Sequence, residues 1–410
     1  MHTAKWIHSL ICCIALNFGL IYMTVDVWGA QTTLTVRLYG ETFSLSLPHQ
    51  THAFRLAALT DEHAIERALA DLEQALKPLA SQLRTQSDKL RWNDWLNVKL
   101  AASAAKEVWK SEPERVFGCA ALLRALGYNA TLAVSERKRL WLAFEISQPI
   151  YFAAVFRLGE KNTTMYALYD IEKNDLQKTL PKDGLELLTA PMQGIKRAVS
   201  FEQPLRPTFP ERPISKTLSW TYRGRKFSLT CAFNKNQLDY LAGYPQMEVA
   251  WYFNQALSKA FQEKVIEPLK KMLVQENLKD VEAVDFLLQF CLARPYLEDQ
   301  KQPRGEHCSF VEEALFDAYT DCEDRAYLLA ALVQGVLGYK VIGVQFPNHV
   351  AIGVCIPNAK LNGKIYTFEN ERYVSCDPSY LGSTVGEILE PFQHSLPERI
   401  IKIDGIKFVN

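Results

Sequence analysis

Two distant stretches of this chain carry the same residue pattern, and that repetition limits the fold more than any single motif does. Thr33-Leu34, Gly40 and Phe43-Ser44-Leu45 recur at one constant offset as Thr217-Leu218, Gly224 and Phe227-Ser228-Leu229. Each set alternates around a glycine, which is the pattern of a β-hairpin. A helical stretch follows in both, 62–83 and 247–274, with apolar residues three and four apart. Ala121-Leu122-Leu123 leading to Leu126-Gly127-Tyr128 then parallels Ala331-Leu332-Val333 leading to Leu337-Gly338-Tyr339, and strand-like runs come after each. The proline-rich stretch 203–215 separates the halves. This implies an α+β chain built of two similar halves, each a hairpin and long helices leading to a helix packed on an antiparallel sheet. The expected divisions are 1–30, 31–180, a Pro-rich linker 181–216, a hairpin and long helix over 217–280, and a C-terminal domain 281–410. The last strand-like segment, 400–409, is interrupted by Asp404-Gly405 and reads as a strand or a small hairpin.

With 410 residues, 48% of them hydrophobic and 22% charged, the chain is long enough for two or three cores. Lys+Arg and Asp+Glu both number 46, so no net basic charge argues for nucleic acid as a partner. The apolar run from Leu10 to Val25 follows Lys5 without an acidic residue and reads as a signal-peptide core, with an uncleaved N-terminal membrane anchor as its competitor. On that reading the protein is exported, to a periplasmic or extracellular compartment. Of nine cysteines, Cys12 and Cys13 fall in this run. The odd number beyond it leaves at least one thiol without an intrachain partner and is compatible with some disulfides.

The second half concentrates the chemistry. Asp321 precedes Cys322 at the start of a helix whose stripe is Leu328, Leu329, Leu332, Val333 and Val336. Asp321 is suited to cap that helix, and a first-turn thiol there is favoured as thiolate by the helix dipole and by any nearby histidine. His349 follows the turn Pro347-Asn348 and opens a β-branched run. Asp377 ends a further strand before Pro378, placed to take the second ring proton of His349. Taken singly, each has a plainer structural reading: a buried small residue, a strand-edge histidine, an Asp-Pro turn. The backbone N–H of Cys322 offers an oxyanion donor, with Tyr296 or Gln289 as the side-chain candidate. Glu312, Glu313 and Asp317 read as a solvated helix face. His307-Cys308 lacks metal-ligand spacing, and neither a metal nor another cofactor is expected.

The runs Asp-Cys-Glu-Asp-Arg-Ala from Asp321, Leu-Gly-Tyr from Leu337, His-Val-Ala-Ile-Gly-Val from His349 and Asp-Pro-Ser-Tyr from Asp377 resemble the transglutaminase-like superfamily, most closely its bacterial and archaeal members. The resemblance covers about the last third of the chain. It implies a papain-related α+β core and carries the roles of a Cys–His–Asp triad to Cys322, His349 and Asp377. The first half would then be a degenerate copy or scaffold. Counted without gaps from Gly127-Tyr128, Ser111 stands opposite Cys322, the stretch 138–141 stands opposite His349, and Asp170 corresponds to Asp377.

Two functions fit this sequence. One is a thiol enzyme that forms an acyl-enzyme on a peptide or isopeptide amide, then passes the acyl group to water or to an amine. Its partner is a peptide or protein substrate. The alternative is a non-catalytic binding or scaffolding protein that keeps a transglutaminase-like fold.

Overall fold

The computed structural model describes residues 32–47, 62–158, 164–189, 196–203, 206–302, 305–357 and 359–409. In the first half, β1 (Thr32–Leu38) and β2 (Glu41–Leu47) form a hairpin. Tyr39-Gly40 closes it with φ of 47° and 82°, the left-handed pair of a type I′ turn that matches strand twist. Helices Glu62–Lys89, Asp94–Val108 and Glu112–Ala125 follow. They lead into an antiparallel sheet of β3 (Ala130–Val134), β4 (Leu140–Ile146), β5 (Val155–Leu158), β6 (Thr164–Asp170), β7 (Asp175–Leu176) and β8 (Glu186–Leu187). Its order is β5-β6-β4-β3-β8, with β7 added beside β6.

The second half repeats this plan. A hairpin of β9 (Pro213–Tyr222) and β10 (Arg225–Asn234) turns at Arg223-Gly224 with φ of 47° and 77°. Helices Asp280–Leu292 and Cys322–Leu332 lead to β12 (Lys340–Phe346), β13 (His349–Cys355), β14 (Ile365–Phe368), β15 (Glu371–Cys376) and β16 (Arg399–Lys402). The order is β14-β15-β13-β12-β16, the first sheet's order strand for strand. The echo in sequence is a repeat in architecture, and the molecule is α+β.

Three expectations need correction. The stretch 247–274 is not one helix. It breaks into Val249–Phe253, the short β11 (Leu257–Ser258) and a helix from Lys259 to Gln275 with a π turn at Gln262–Ile266. Ser258 caps the last piece, because its hydroxyl accepts from Phe261 N. The C-terminal segment is no hairpin either: β16 pairs with β12, and β17 (Phe408–Val409) runs parallel to β11. Finally, the region read as a linker is woven into the first sheet. β8 lies on β3, and Val199 bridges to Ile146.

One continuous apolar core spans both halves, joining Leu79, Trp95 and Phe144 to Phe261, Phe286 and Leu328. Each sheet also carries a small outer cluster, around Trp141 and Leu168 in one and around Val344 and Tyr366 in the other. Hydrogen bonds cross between the halves. Trp95 Nε1–H donates to Gly243 O (3.2 Å) and the Tyr244 hydroxyl to Phe201 O (2.6 Å), while Trp92 Nε1–H donates to Thr208 O (3.1 Å) in the proline-rich stretch between them. No helix among the described residues is long and apolar enough to cross a membrane, and the run 10–25 lies outside them.

Candidate active site

The Cys322 helix starts where the sequence places it. Asp321 is the N-cap, with its carboxylate accepting from Asp324 N at 3.4 Å. Cys322 is the first helical residue and is partly exposed. Its sulfur lies near the start of β13, where the backbone N–H of Val350 is close enough to favour the thiolate. The neighbouring residue on that strand is His349.

His349 and Asp377 meet directly. Imidazole Nε2 lies 2.9 Å from Asp377 Oδ2, with both side chains buried. Asp377 Oδ2 also accepts from Leu389 N (3.0 Å), and Oδ1 from Ser379 N (3.1 Å) and the Ser379 hydroxyl (2.6 Å). Burial pushes this carboxyl upward. The hydrogen bond and charge of His349, then Ser379 and Leu389, outweigh it and hold Asp377 below the usual carboxylate range. An ionised Asp377 makes Nε2 the protonated nitrogen, leaving Nδ1 with a free lone pair. The ring is stacked 4.8 Å from Phe392 at an interplanar angle of 12°, which fixes its plane.

Arg325, one turn beyond Cys322, ties the helix to the Asp377 loop. Its guanidinium donates to Pro378 O (2.9 Å), to Thr320 Oγ1 (3.1 Å) and to Arg294 O, while its planar group lies over the Tyr296 ring at 4.9 Å. Arg325, Phe392, Ser379 and Glu323 are site residues that pattern reading did not single out. Arg325 at i+3 from the thiol was the one with a usable signal, a cation in an otherwise apolar helix face.

The electrostatics at the thiol oppose the expectation of a resting thiolate. Cys322 Sγ lies 2.9 Å from Glu323 Oε2. Burial, then the charges of Glu323 and Asp321, raise the thiol well above its ordinary range, against the smaller pull of the Val350 N–H. At rest the thiol is protonated and donates to Glu323. Around it, carboxylate oxygens of Asp299, Asp321 and Glu323 come within 4.8 Å of one another. Burial and the neighbouring acids, including a side-chain hydrogen bond from Asp299, raise Asp321, so at least one proton is shared there.

Of the two side-chain oxyanion candidates, Gln289 is spent elsewhere: its amide donates to Ser383 O at 2.9 Å. Tyr296 stays, 40% exposed, and its hydroxyl is raised by burial and then by its acidic neighbours Cys322, Asp321 and Glu323. Glu312 and Glu313 are not solvated but fully buried. Glu312 pairs with Arg206 (2.8 Å) and accepts from Ser258 N (2.8 Å), while Glu313 binds His307 Nε2 (3.0 Å). A carboxylate enters a core only with such partners, which are remote in sequence. His307 Nδ1 is held by Gln246 (2.9 Å), so both ring nitrogens are occupied by the fold. All seven cysteines of the described residues are free thiols.

The first half answers what replaces the site there. A π turn at Val333–Leu337 inserts one residue between the Cys322 helix and Gly338, and the Glu112–Ala125 helix lacks it. Matching N-cap to N-cap therefore pairs Ser111 with Asp321 and Glu112 with Cys322, which corrects the ungapped count. Strand register extends the match. Leu142 pairs with Tyr169 as Ile352 pairs with Cys376, so Asp170 corresponds to Asp377 and Arg139 to His349. Arg139 donates to Glu112 Oε1 (Nε 3.0 Å, Nη2 2.8 Å) and lies 3.8 Å from Asp170 Oδ2. Three ion-paired groups thus stand at the three positions.

Compared with known proteins, the chain matches no family model, no curated protein and no solved structure.

Proposed function

We propose that the protein is a thiol enzyme of acyl transfer, with Cys322 as nucleophile, His349 as base and acid, and Asp377 as the group that orients the imidazole. The observation that carries this reading is the buried His349–Asp377 pair, next in the chain to Val350, whose backbone N–H favours the Cys322 thiolate. Glu323, partly exposed, turns away and the thiol proton passes to His349 Nδ1. The sulfur attacks an amide carbonyl, and the oxyanion forms near the Cys322 N–H and the Tyr296 hydroxyl. His349 returns its proton to the departing amine, leaving a thioester. Water, activated by the same imidazole, then releases the acid. A papain-related, transglutaminase-like core accommodates these roles in a helix on an antiparallel sheet.

The test is labelling by a peptide-like electrophile at neutral pH, read by peptide mapping. We expect modification at Cys322, its loss in Cys322→Ala and a large drop in His349→Ala. Equal labelling of parent and Cys322→Ala removes the reading. Adding an amine to the assay separates hydrolysis from cross-linking. For the first half the ion-paired Glu112–Arg139–Asp170 set favours a scaffold role without acyl chemistry.

A further inference from the structure

Cys322 is not the only thiol at the site. Cys308 Sγ lies 3.9 Å from Glu323 Oε1, and Cys322 Sγ lies 2.9 Å from Glu323 Oε2, so one carboxylate separates the two sulfurs. The Tyr327 hydroxyl, one helical turn beyond Glu323, donates toward Cys308 at 3.9 Å and holds that sulfur over the same helix face. The strap carrying Cys308 is pinned across the helix start by three successive backbone donors. His307 N donates to Asp299 (3.2 Å), Cys308 N to Gln246 (2.6 Å) and Ser309 N to Asp324 (2.7 Å). Both thiols are partly exposed. Cys355 shares that exposure but sits at the far end of β13, and the remaining thiols are buried.

We infer that Cys308 is a resolving thiol, and that a hydroperoxide converts the pair into a Cys308–Cys322 disulfide that shuts the site reversibly. As a bond this stands on the geometry alone; as a control of acyl transfer it rests on the function proposed above. The Cys322 sulfur gives its proton to Glu323 Oε2, its hydrogen-bond partner, and attacks hydrogen peroxide; S–O forms as O–O breaks, and the leaving hydroxide recovers that proton as one water. The Cys308 sulfur then attacks the sulfenic sulfur. S–S forms, S–O breaks, and the leaving hydroxide departs as a second water with the proton that Glu323 takes from Cys308. Two thiols are oxidised and one peroxide is reduced to two waters. Glu323 is suited to this because it lies against both sulfurs and, being partly exposed, can swing out as they close. Burial followed by Glu323, Asp324 and Asp321 raises the Cys308 thiol well above its ordinary range, so it needs such a base.

The experiment treats the reduced full chain with hydrogen peroxide under conditions that oxidise free cysteine, then maps peptides without reduction. The expected result is a Cys308–Cys322 linked peptide, loss of Cys322 labelling by iodoacetamide, and its return with dithiothreitol. In Cys308→Ser the same treatment should carry Cys322 on to sulfinic acid, with no return. Absence of the linked peptide, or a parent that behaves like Cys308→Ser, overturns the inference. Failure of the reduced chain to react with a peptide-like electrophile would instead strike the enzymatic reading and leave the disulfide to be decided by the linked peptide.

Discussion

At the scale of residues, Asp377 does two jobs that can be separated by pH. It fixes the His349 tautomer, and its ionised form is stabilised by four hydrogen bonds from three residues. Its folded-state pKa lies below the ordinary value, so its contribution is complete above the usual carboxylate range and is lost as pH falls through the depressed value. Asp377→Asn should therefore cost about 1–3 kcal/mol at neutral pH, and that difference from the parent should shrink as the solution is acidified. Thermal melts of both proteins across an acid series check it. Activity should fall by roughly two to four orders of magnitude, because Asn can present its amide to Nε2 and select the wrong tautomer. Asp321 carries the opposite sign: burial and neighbouring acids raise it, so it favours the fold at low pH and loses that contribution as pH rises. Cys322, His349 and Asp377 were legible as candidates because three separate runs carry them in order, and the structure pairs the last two directly. Their electrostatic setting was not. Glu323 follows Cys322 in sequence, yet only the helix geometry turns its carboxylate onto the thiol.

At the scale of elements, the loop after β15 is what holds the carboxylate in place. Gly386 has φ of 103°, and a Cβ there would sit 2.5 Å from Asn362 O; Gly363 meets the same stretch from the other side. Backbone bonds from Lys364 N to Gly386 O (2.9 Å) and from Gly386 N to Ser375 O (2.8 Å) lock this loop to the strand end, upstream of the Leu389 N–H that reaches Asp377. Gly386→Ala should cost about 1–3 kcal/mol through backbone strain alone. Under the proposed function it should also lower kcat more than it weakens substrate binding, since Cys322 and Tyr296, the groups proposed to meet the substrate, are untouched. A melt paired with steady-state kinetics distinguishes this: an unchanged melting temperature would show that the close approach is not a constraint. The turns at this scale were readable. Pro347-Asn348 closes the β12–β13 hairpin with Asn348 at φ 56°, as that dipeptide implies. The break of 247–274 was hidden, because its apolar spacing suits a helix and only the pairing of β11 with the distant β17 reveals otherwise.

At the scale of the whole molecule, two halves with one topology share one core, and the repeat does not make them independent. The repeat was visible in glycine turns and the Leu-Gly-Tyr runs. The one-residue π turn that shifts its register was not, because a single insertion inside an apolar helix leaves the spacing of apolar residues readable on either side. Nor could the sequence show the seam. There Trp92, Trp95, Tyr240 and Tyr244 are buried by contacts from both halves, with Asn93 donating to both tyrosine hydroxyls (3.0 and 3.2 Å). Tyr39 meets Tyr240 edge to face at 5.9 Å, and Tyr151 N donates to Gln246 O (2.8 Å) beside the Cys308 strap. Exposing several such aromatics forfeits about 1.5–3 kcal/mol each, against a typical domain stability of about 5–15 kcal/mol. Residues 206–410 produced alone should therefore lack a cooperative melt and bind a hydrophobic dye, despite containing Cys322, His349 and Asp377. Supplying residues 1–203 in the same cell should restore a stable complex and, with it, labelling at Cys322. If the isolated second half melts cooperatively and labels at the parental rate, the seam is dispensable, and the first half must be explained by something other than holding the second half together.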